Sequence, residues 1–219
     1  MRLGALLVPG DGSSPHSIAD QSRLLESVGY ESIWSAQAIG RGFMMHDPFV
    51  ALATAAAVTE KVELGIAILQ LPLYNAADVA LKSFSLSQVS GCRFLIGVGS
   101  GSTANDFELH QQDFGERFKL FDIRLDELKQ VFSTGVAGGR ELTPWGSVVS
   151  GPPIFYGTWG SNVQRAALEC DGWIASGMHR TSTECGEALK VYRGAGGGRA
   201  IVSTIRVMPG DDLGALRDD

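Results

Sequence analysis

Short, almost continuously apolar runs alternate along this chain with longer segments whose apolar residues recur every three or four positions. The runs are Leu3–Val8, Tyr30–Trp34, Val62–Leu69, Phe94–Val98, Pro153–Tyr156, Trp173–Ser176 and Ala200–Val207. Each is too short for a stable helix and is bounded by turn residues, which predicts strands, the most apolar of them buried on both faces. The first helical segment opens at Ser14-Pro15 and closes at Gly29, with Ile18, Leu24, Leu25 and Val28 roughly on one face. Asp47-Pro48 is the clearest helix start, a capping side chain followed by proline in the first turn, and its Ala-rich helix reaches Thr59. A third helix spans Ala76–Val89 and stops at Ser90-Gly91. The firmest stripe is Phe114, Phe118, Phe121, Leu125, Leu128 and Phe132, in steps that alternate between four and three. Helices are also predicted over Val163–Cys170 and Ser182–Tyr192, and the Gly-rich segment Thr134–Gly151 predicts an irregular loop.

Seven strands alternating with helices predict βα units and a parallel sheet, an α/β protein. Winding that many units in one hand gives either a doubly wound sheet or a (β/α)8 TIM-type barrel, and no eighth strand is evident. The length of 219 residues suits one domain, 1–219. A net charge of −6 and the lack of any Lys/Arg block argue against a nucleic-acid partner. No apolar run approaches the roughly 20 residues of a membrane span. The apolar start has no small-residue cleavage site before Asp11 and reads as a first strand, not a signal peptide. Cys92, Cys170 and Cys185 form no framework, so reduced thiols in a cytoplasm are expected.

Candidate chemistry gathers after the strands. Gly99-Ser100-Gly101-Ser102-Thr103 follows the fourth strand directly, and such glycines let successive N–H groups and hydroxyls form a nest for phosphate. The spacing is neither the dinucleotide fingerprint nor a Walker loop, and a tight strand-to-helix turn fits it equally. Gly157-Thr158-Trp159-Gly160-Ser161-Asn162 opens straight into a helix, whose N-terminus favours an anion; Ser161 or Asn162 serves equally as a plain N-cap. His46 and Arg41 precede the Asp47 cap, and His179 lies just past the sixth strand; on a barrel all three fall at the mouth. His110, with Asp106 and Glu108, reads as a solvated helix entry, and His16 as surface. The four histidines are isolated, so no metal site is expected. No G-x-S-x-G elbow is present and no lysine ends a strand, which disfavours a serine hydrolase and a Schiff-base aldolase.

Several motifs run together in order: Asp47-Pro48-Phe49, Thr59 to Gly65, Leu71-Pro72-Leu73-Tyr74-Asn75 with Ala80, and Ser90-Gly91-Cys92-Arg93 leading into Gly97-Val98-Gly99-Ser100-Gly101. Phe114, Arg117 and Phe118 follow, then Pro152-Pro153-Ile154 with Gly157 and Gly160, and Arg165-Ala166-Ala167 before Asp171-Gly172-Trp173. With these the chain resembles, over nearly its whole length, the bacterial luciferase-like superfamily of flavin- and deazaflavin-dependent oxidoreductases. The resemblance implies a (β/α)8 barrel, commonly a homodimer, with FMN or coenzyme F-420 (a deazaflavin) at its mouth and a small organic molecule as substrate. It implies that Ser100-Gly101-Ser102 and the loop carrying Gly157, Gly160, Ser161 and Asn162 hold the cofactor phosphate. It further implies that Ala67 and Ile68 line the isoalloxazine face, with a strained or cis peptide nearby. Three departures stand out. Gln37 follows the second strand where many relatives have an acid and a histidine, and an amide cannot act as a general acid. Ser100 stands where some flavin-binding members carry arginine. The segment before the fifth strand is reduced to Thr134–Gly151 and the last βα unit is absent, so a shortened barrel is expected. The expected activity is hydride transfer or oxygenation, with Gln37, His46 and His179 as catalytic candidates and Arg41 on the substrate side. The rival is a non-catalytic flavin-binding or apo relative that keeps the fold.

Overall fold

Buried strands need cover on both faces, and among the described residues helices alternate with the parallel strands. The computed structural model describes residues 2–8, 14–40, 42–178 and 180–203. The chain divides into two compact units, with the boundary after Pro153.

The first unit runs β1 (Gly4–Leu6), α1 (Ser17–Ser27), β2 (Ser32–Ser35), α2 (Pro48–Ala56), β3 (Glu63–Gln70), α3 (Ala76–Val89), β4 (Phe94–Gly99), α4 (Ala104–Leu109) and α5 (Arg117–Thr134). A short antiparallel ribbon follows, β5 (Val136–Ala137) with β6 (Arg140–Glu141), in the segment expected to be irregular. Strands β1 to β4 pair in parallel and strictly in chain order. The second unit runs β7 (Ile154–Gly157), α6 (Asn162–Glu169), β8 (Gly172–Ser176), α7 (Ser182–Gly194) and β9 (Arg199–Ser203), again parallel and in order. A doubly wound sheet reverses its strand order at a switch point, and neither unit does so. The chain is therefore an α/β protein of the (β/α)8 TIM-barrel type in shortened form, with four parallel strands in the first unit and three in the second among the described residues.

Sequence-encoded side-chain caps start α2, α3 and α7. The Asp47 carboxylate accepts from the N–H groups of Phe49 and Val50 at 2.9 and 3.2 Å. Asn75 accepts from Ala77 at 2.9 Å, and Thr181 with Glu184 forms a full capping box on α7. On α5 the expected stripe is buried only from Phe121 onward, with Leu125, Leu128, Val131 and Phe132. Phe114 belongs to a preceding 3-10 turn and Phe118 is exposed, because the Arg117 guanidinium lies between their rings, 3.9 and 4.1 Å from the centroids.

Two arrangements set the geometry of the first unit. At the N-terminal ends of its strands, Arg93 donates to the carbonyls of Ser90, Ala56, Thr59 and Val62 and to the Thr59 hydroxyl, over 2.7 to 3.2 Å. Beside it, the Glu26 carboxylate accepts from the successive N–H groups of Glu60, Lys61 and Val62 at 2.8 to 3.1 Å. Further along β2, the Trp34 ring lies over two glycines. A Cβ on Gly65 would sit 2.2 Å from the ring, and one on Gly4 would sit 2.6 Å from the indole nitrogen.

Gly65→Ala is expected to cost about 1–3 kcal/mol through overpacking against Trp34, read as a lowered midpoint in urea; an unchanged midpoint refutes the close fit. Burial opposes the Glu26 charge, but the three N–H groups and Arg93 outweigh it and hold its pKa below the usual 4.5. A depressed carboxylate pKa adds stability that is present above the unfolded value and lost as pH falls through the folded one. Glu26→Gln is expected to destabilise by about 1 kcal/mol at neutral pH, a modest figure because the group is largely solvated. That gap closes as the pH drops below 4.5; a gap that persists in acid contradicts the assignment.

Candidate functional site

The C-terminal ends of β2, β3 and β4 bring together residues that are far apart in sequence. Gln37 lies just past β2, Gln70 is the last residue of β3, and Ser100-Gly101-Ser102 follow β4. Both glutamines are buried, at 8% and 3% exposure. The Gln37 Oε1 accepts from the backbone N–H of Gln70 at 2.8 Å, and the Gln37 amide donates to the Tyr74 hydroxyl. Gln70 Nε2 donates to the Asp106 carboxylate at 2.6 Å. Gln70 Oε1 is shielded from solvent and has no hydrogen-bond partner among the described residues. A buried carbonyl oxygen left so costs roughly 1–3 kcal/mol.

Gly101 closes over that oxygen. Its φ of +80° is strained for any residue with a side chain, and a Cβ there would lie 2.6 Å from Gln70 Oε1 and 2.7 Å from the Phe107 ring. Next to this loop, β3 carries a bulge. Ile66 pairs with Ile96 and Leu69 with Val98, so one extra residue fits into the Ala67-Ile68 stretch, whose side chains are half-buried. The Ala67–Ile68 peptide is cis, as the family resemblance implies.

Tyr74 sits at the edge of the network, its ring 5.5 Å from Lys82 Nζ and 6.5 Å from the His110 ring. Burial, with the negative charges of Asp47 and Asp78, pushes its hydroxyl up to about 12, so it stays neutral across the physiological range.

The sequence-based candidates divide as follows. Gln37 is in this network. His46 is exposed and lines a cavity of about 10 Å³ with Leu7, Ile18 and Ser35, room for one water molecule; no described hydrogen bond joins it to Gln37 or Gln70. Arg41 and His179 lie outside the described residues. Asp106 corrects the expectation of a solvated helix entry: it is wholly buried because it holds the Gln70 amide, and its own carbonyl meets His110 Nδ1 at 2.9 Å. Gln70 and Asp106 went unrecognised in the sequence. The available signals were a polar residue ending an apolar strand and an acid in the helix after a glycine loop.

In the second unit, Gly157 ends β7 and Asn162 is already the first residue of α6. Ser161 takes the N-cap position, one of the two the sequence allowed, but its side chain makes no capping hydrogen bond; in the first turn the Val163 N–H donates to the Gly160 carbonyl at 3.2 Å. The loop is pinned by Trp173, whose indole donates to the Thr158 carbonyl at 2.8 Å and meets the Trp159 ring edge-on at 5.6 Å. The Arg180 guanidinium stands 5.0 Å from the Trp159 ring, and these side chains with Gly160, Val163 and Val191 line a cavity of about 350 Å³.

The family model described as luciferase-like monooxygenase matches residues 1–218. The 4-hydroxyprotoasukamycin monooxygenase of Streptomyces nodosus subsp. asukaensis is 34% identical over 122 residues, 55% of this chain and 33% of its own length. A putative coenzyme F-420-dependent oxidoreductase of Mycobacterium tuberculosis is 25% identical over 247 residues, 98% of this chain and 69% of its own. Among solved structures, the oxygenating constituent of 3,6-diketocamphane monooxygenase from Pseudomonas putida, in complex with FMN, superimposes with a TM-score of 0.73 at 16% identity, covering 89% of this chain and 62% of that one. An F-420-dependent secondary alcohol dehydrogenase, in complex with an F-420–acetone adduct, gives 0.72 at 15% identity, covering 92% and 68%. The chain thus spans about a third of the first relative, and between 62% and 69% of the other three.

A raised phenol pKa lends stability that is intact below the unfolded value of 10 and is lost between there and about 12, as the unfolded chain gives up its proton first. A tyrosinate absorbance titration of the wild type minus Tyr74→Phe is expected to show one transition near 12. A difference centred on 10 would place Tyr74 in solvent.

Proposed function

Because the chain belongs to the luciferase-like monooxygenase family, we propose that it is an oxidoreductase using a flavin or deazaflavin, FMN or coenzyme F-420, on a small organic substrate. The observation that carries this reading is the pairing at the strand ends of an unpartnered buried acceptor, Gln70 Oε1, with a glycine cradle at Gly101 that a side chain would fill. Barrel enzymes place their ligands at that end of the strands. When bound, the cofactor supplies hydride transfer and, in the flavin form, oxygen activation.

The chain's own residues do the binding and orienting. The half-buried Ala67-Ile68 bulge offers an apolar floor for a flat ring. Ser100 and Ser102 offer hydroxyls, and the loop offers backbone N–H groups, to a phosphate. Gly157, Gly160, Ser161 and Asn162 are a further candidate phosphate contact, supported by the N-cap Ser161, whose hydroxyl makes no capping hydrogen bond. Gln37 positions rather than donates: its oxygen holds the β3 backbone and its amide holds the neutral Tyr74 hydroxyl. A proton needed in turnover then falls to the substrate or to one of the sequence-based candidates His46 and His179, with Arg41 on the substrate side. No helix among the described residues is long and apolar enough to cross a membrane, and a cytoplasmic enzyme fits a sequence whose three cysteines form no disulfide framework.

A visible-absorption titration of the purified chain with FMN, and separately with coenzyme F-420, is expected to show saturable binding of one of them. Ser100→Asp and Ser161→Asp should each weaken that binding at least about tenfold by charge repulsion. Binding of neither cofactor at high micromolar concentration favours the non-catalytic relative that Gln37 suggests. Full affinity in both serine variants removes the phosphate assignment alone.

A further inference from the structure

Gln70 has one buried side-chain atom without a partner among the described residues. Its backbone N–H meets Gln37 and its Nε2 meets Asp106, while Oε1 has no partner among the described residues at a side chain only 3% exposed. An amide can in principle turn over and exchange its oxygen and nitrogen. Here it is held by its bond to Asp106, whose carboxyl oxygen accepts from Nε2 at 2.6 Å, so the edge facing Asp106 is the NH2 edge. The oxygen is thereby committed to the Gly101 side, where a glycine lies against it and a Cβ would sit 2.6 Å away.

The chemistry of what meets that oxygen follows from charge. A carbonyl oxygen backed by a carboxylate repels phosphate and attracts a donor. We infer that Gln70 reads an uncharged hydrogen-bond donor of the bound ligand, and that Asp106 is a positioning residue that fixes the orientation of the Gln70 amide. This rests on the cofactor reading above and narrows it. The glycine loop then presents two chemistries: N–H and hydroxyl donors for phosphate on one side, and at Gly101 an acceptor for a ring N–H or a hydroxyl of the sugar-alcohol chain. Flavins and deazaflavins carry both kinds of donor.

The test is a set of fluorescence titrations with FMN, riboflavin and lumiflavin. Riboflavin lacks the phosphate, and lumiflavin lacks the hydroxylated chain as well. Where the wild type takes the deazaflavin instead, the same series uses F-420, its riboside without the phosphate tail, and the bare ring. Gln70→Met keeps bulk and removes the acceptor, and should weaken FMN and riboflavin equally, about tenfold or more. If the penalty persists with lumiflavin the donor is the ring N–H; if it disappears the donor is a hydroxyl. Asp106→Asn lets the Gln70 amide turn over, and should weaken binding several-fold in the wild type but not in the Gln70→Met background. Circular dichroism and a melting curve check that each variant folds. Should the Met variant not fold, Gln70→Asn, which withdraws the amide oxygen by one methylene, takes its place. Equal affinity of wild type and Gln70 variant for all three ligands overturns the inference. So does a penalty confined to FMN, or an Asp106→Asn effect of the same size in both backgrounds. A wild type that binds neither ring system overturns the cofactor reading along with it; binding without the Gln70 effect overturns this inference alone.

Discussion

Five acceptors surround the Arg93 guanidinium, and four of them are main-chain carbonyls from the end of α2, the turn after it, the start of β3 and the end of α3. Planar geometry with a fixed fan of donors suits arginine to this task, and lysine could not fill it. The carbonyls belong to helix ends and turns, where intrahelical partners run out. Glu26 does the complementary work on the N–H groups of the same turn. Between them the two side chains satisfy both polarities of one connection and fix where β3 and β4 begin. The far ends of those strands are where Gln70 and Gly101 must meet, so the register fixed at one end places the functional groups at the other.

That division of labour explains what was legible. Strand positions and helix starts follow from local causes, such as the apolar run Val62–Leu69, the Asp47-Pro48 cap and the glycine after α1, and these fall within a residue or two of their expected places. The barrel-type winding was open between two topologies until the pairing order β1 to β4 was known. The α5 stripe was misplaced at its start because periodicity treats Phe118 as an apolar residue to be buried. Instead Phe118 is exposed and Phe114 only half-buried, with the Arg117 guanidinium 3.9 and 4.1 Å from the two ring centroids.

The site was legible by halves. Glycines announce themselves, and Ser100-Gly101-Ser102 and Ala67-Ile68 stand at the strand ends as expected. The polar partners did not. Gln37 drew notice as a substitution for an acid, yet its role is to hold backbone and phenol. Gln70 lies 33 residues further on and Asp106 another 36, and nothing local marks either as buried. An isolated polar residue acquires meaning only from its partner, and partners across parallel strands are separated by whole βα units.

Trp34 and its two glycines make a different kind of point. The indole fills space that side chains on β1 and β3 would otherwise occupy, so the three positions share one volume. Enlarging either glycine is obstructed while the tryptophan stays, and shrinking the tryptophan leaves a void while the glycines stay. Descent by single replacements is therefore blocked from both directions. On this wall of the sheet a larger residue at Gly65 is tolerated only together with a smaller one at Trp34.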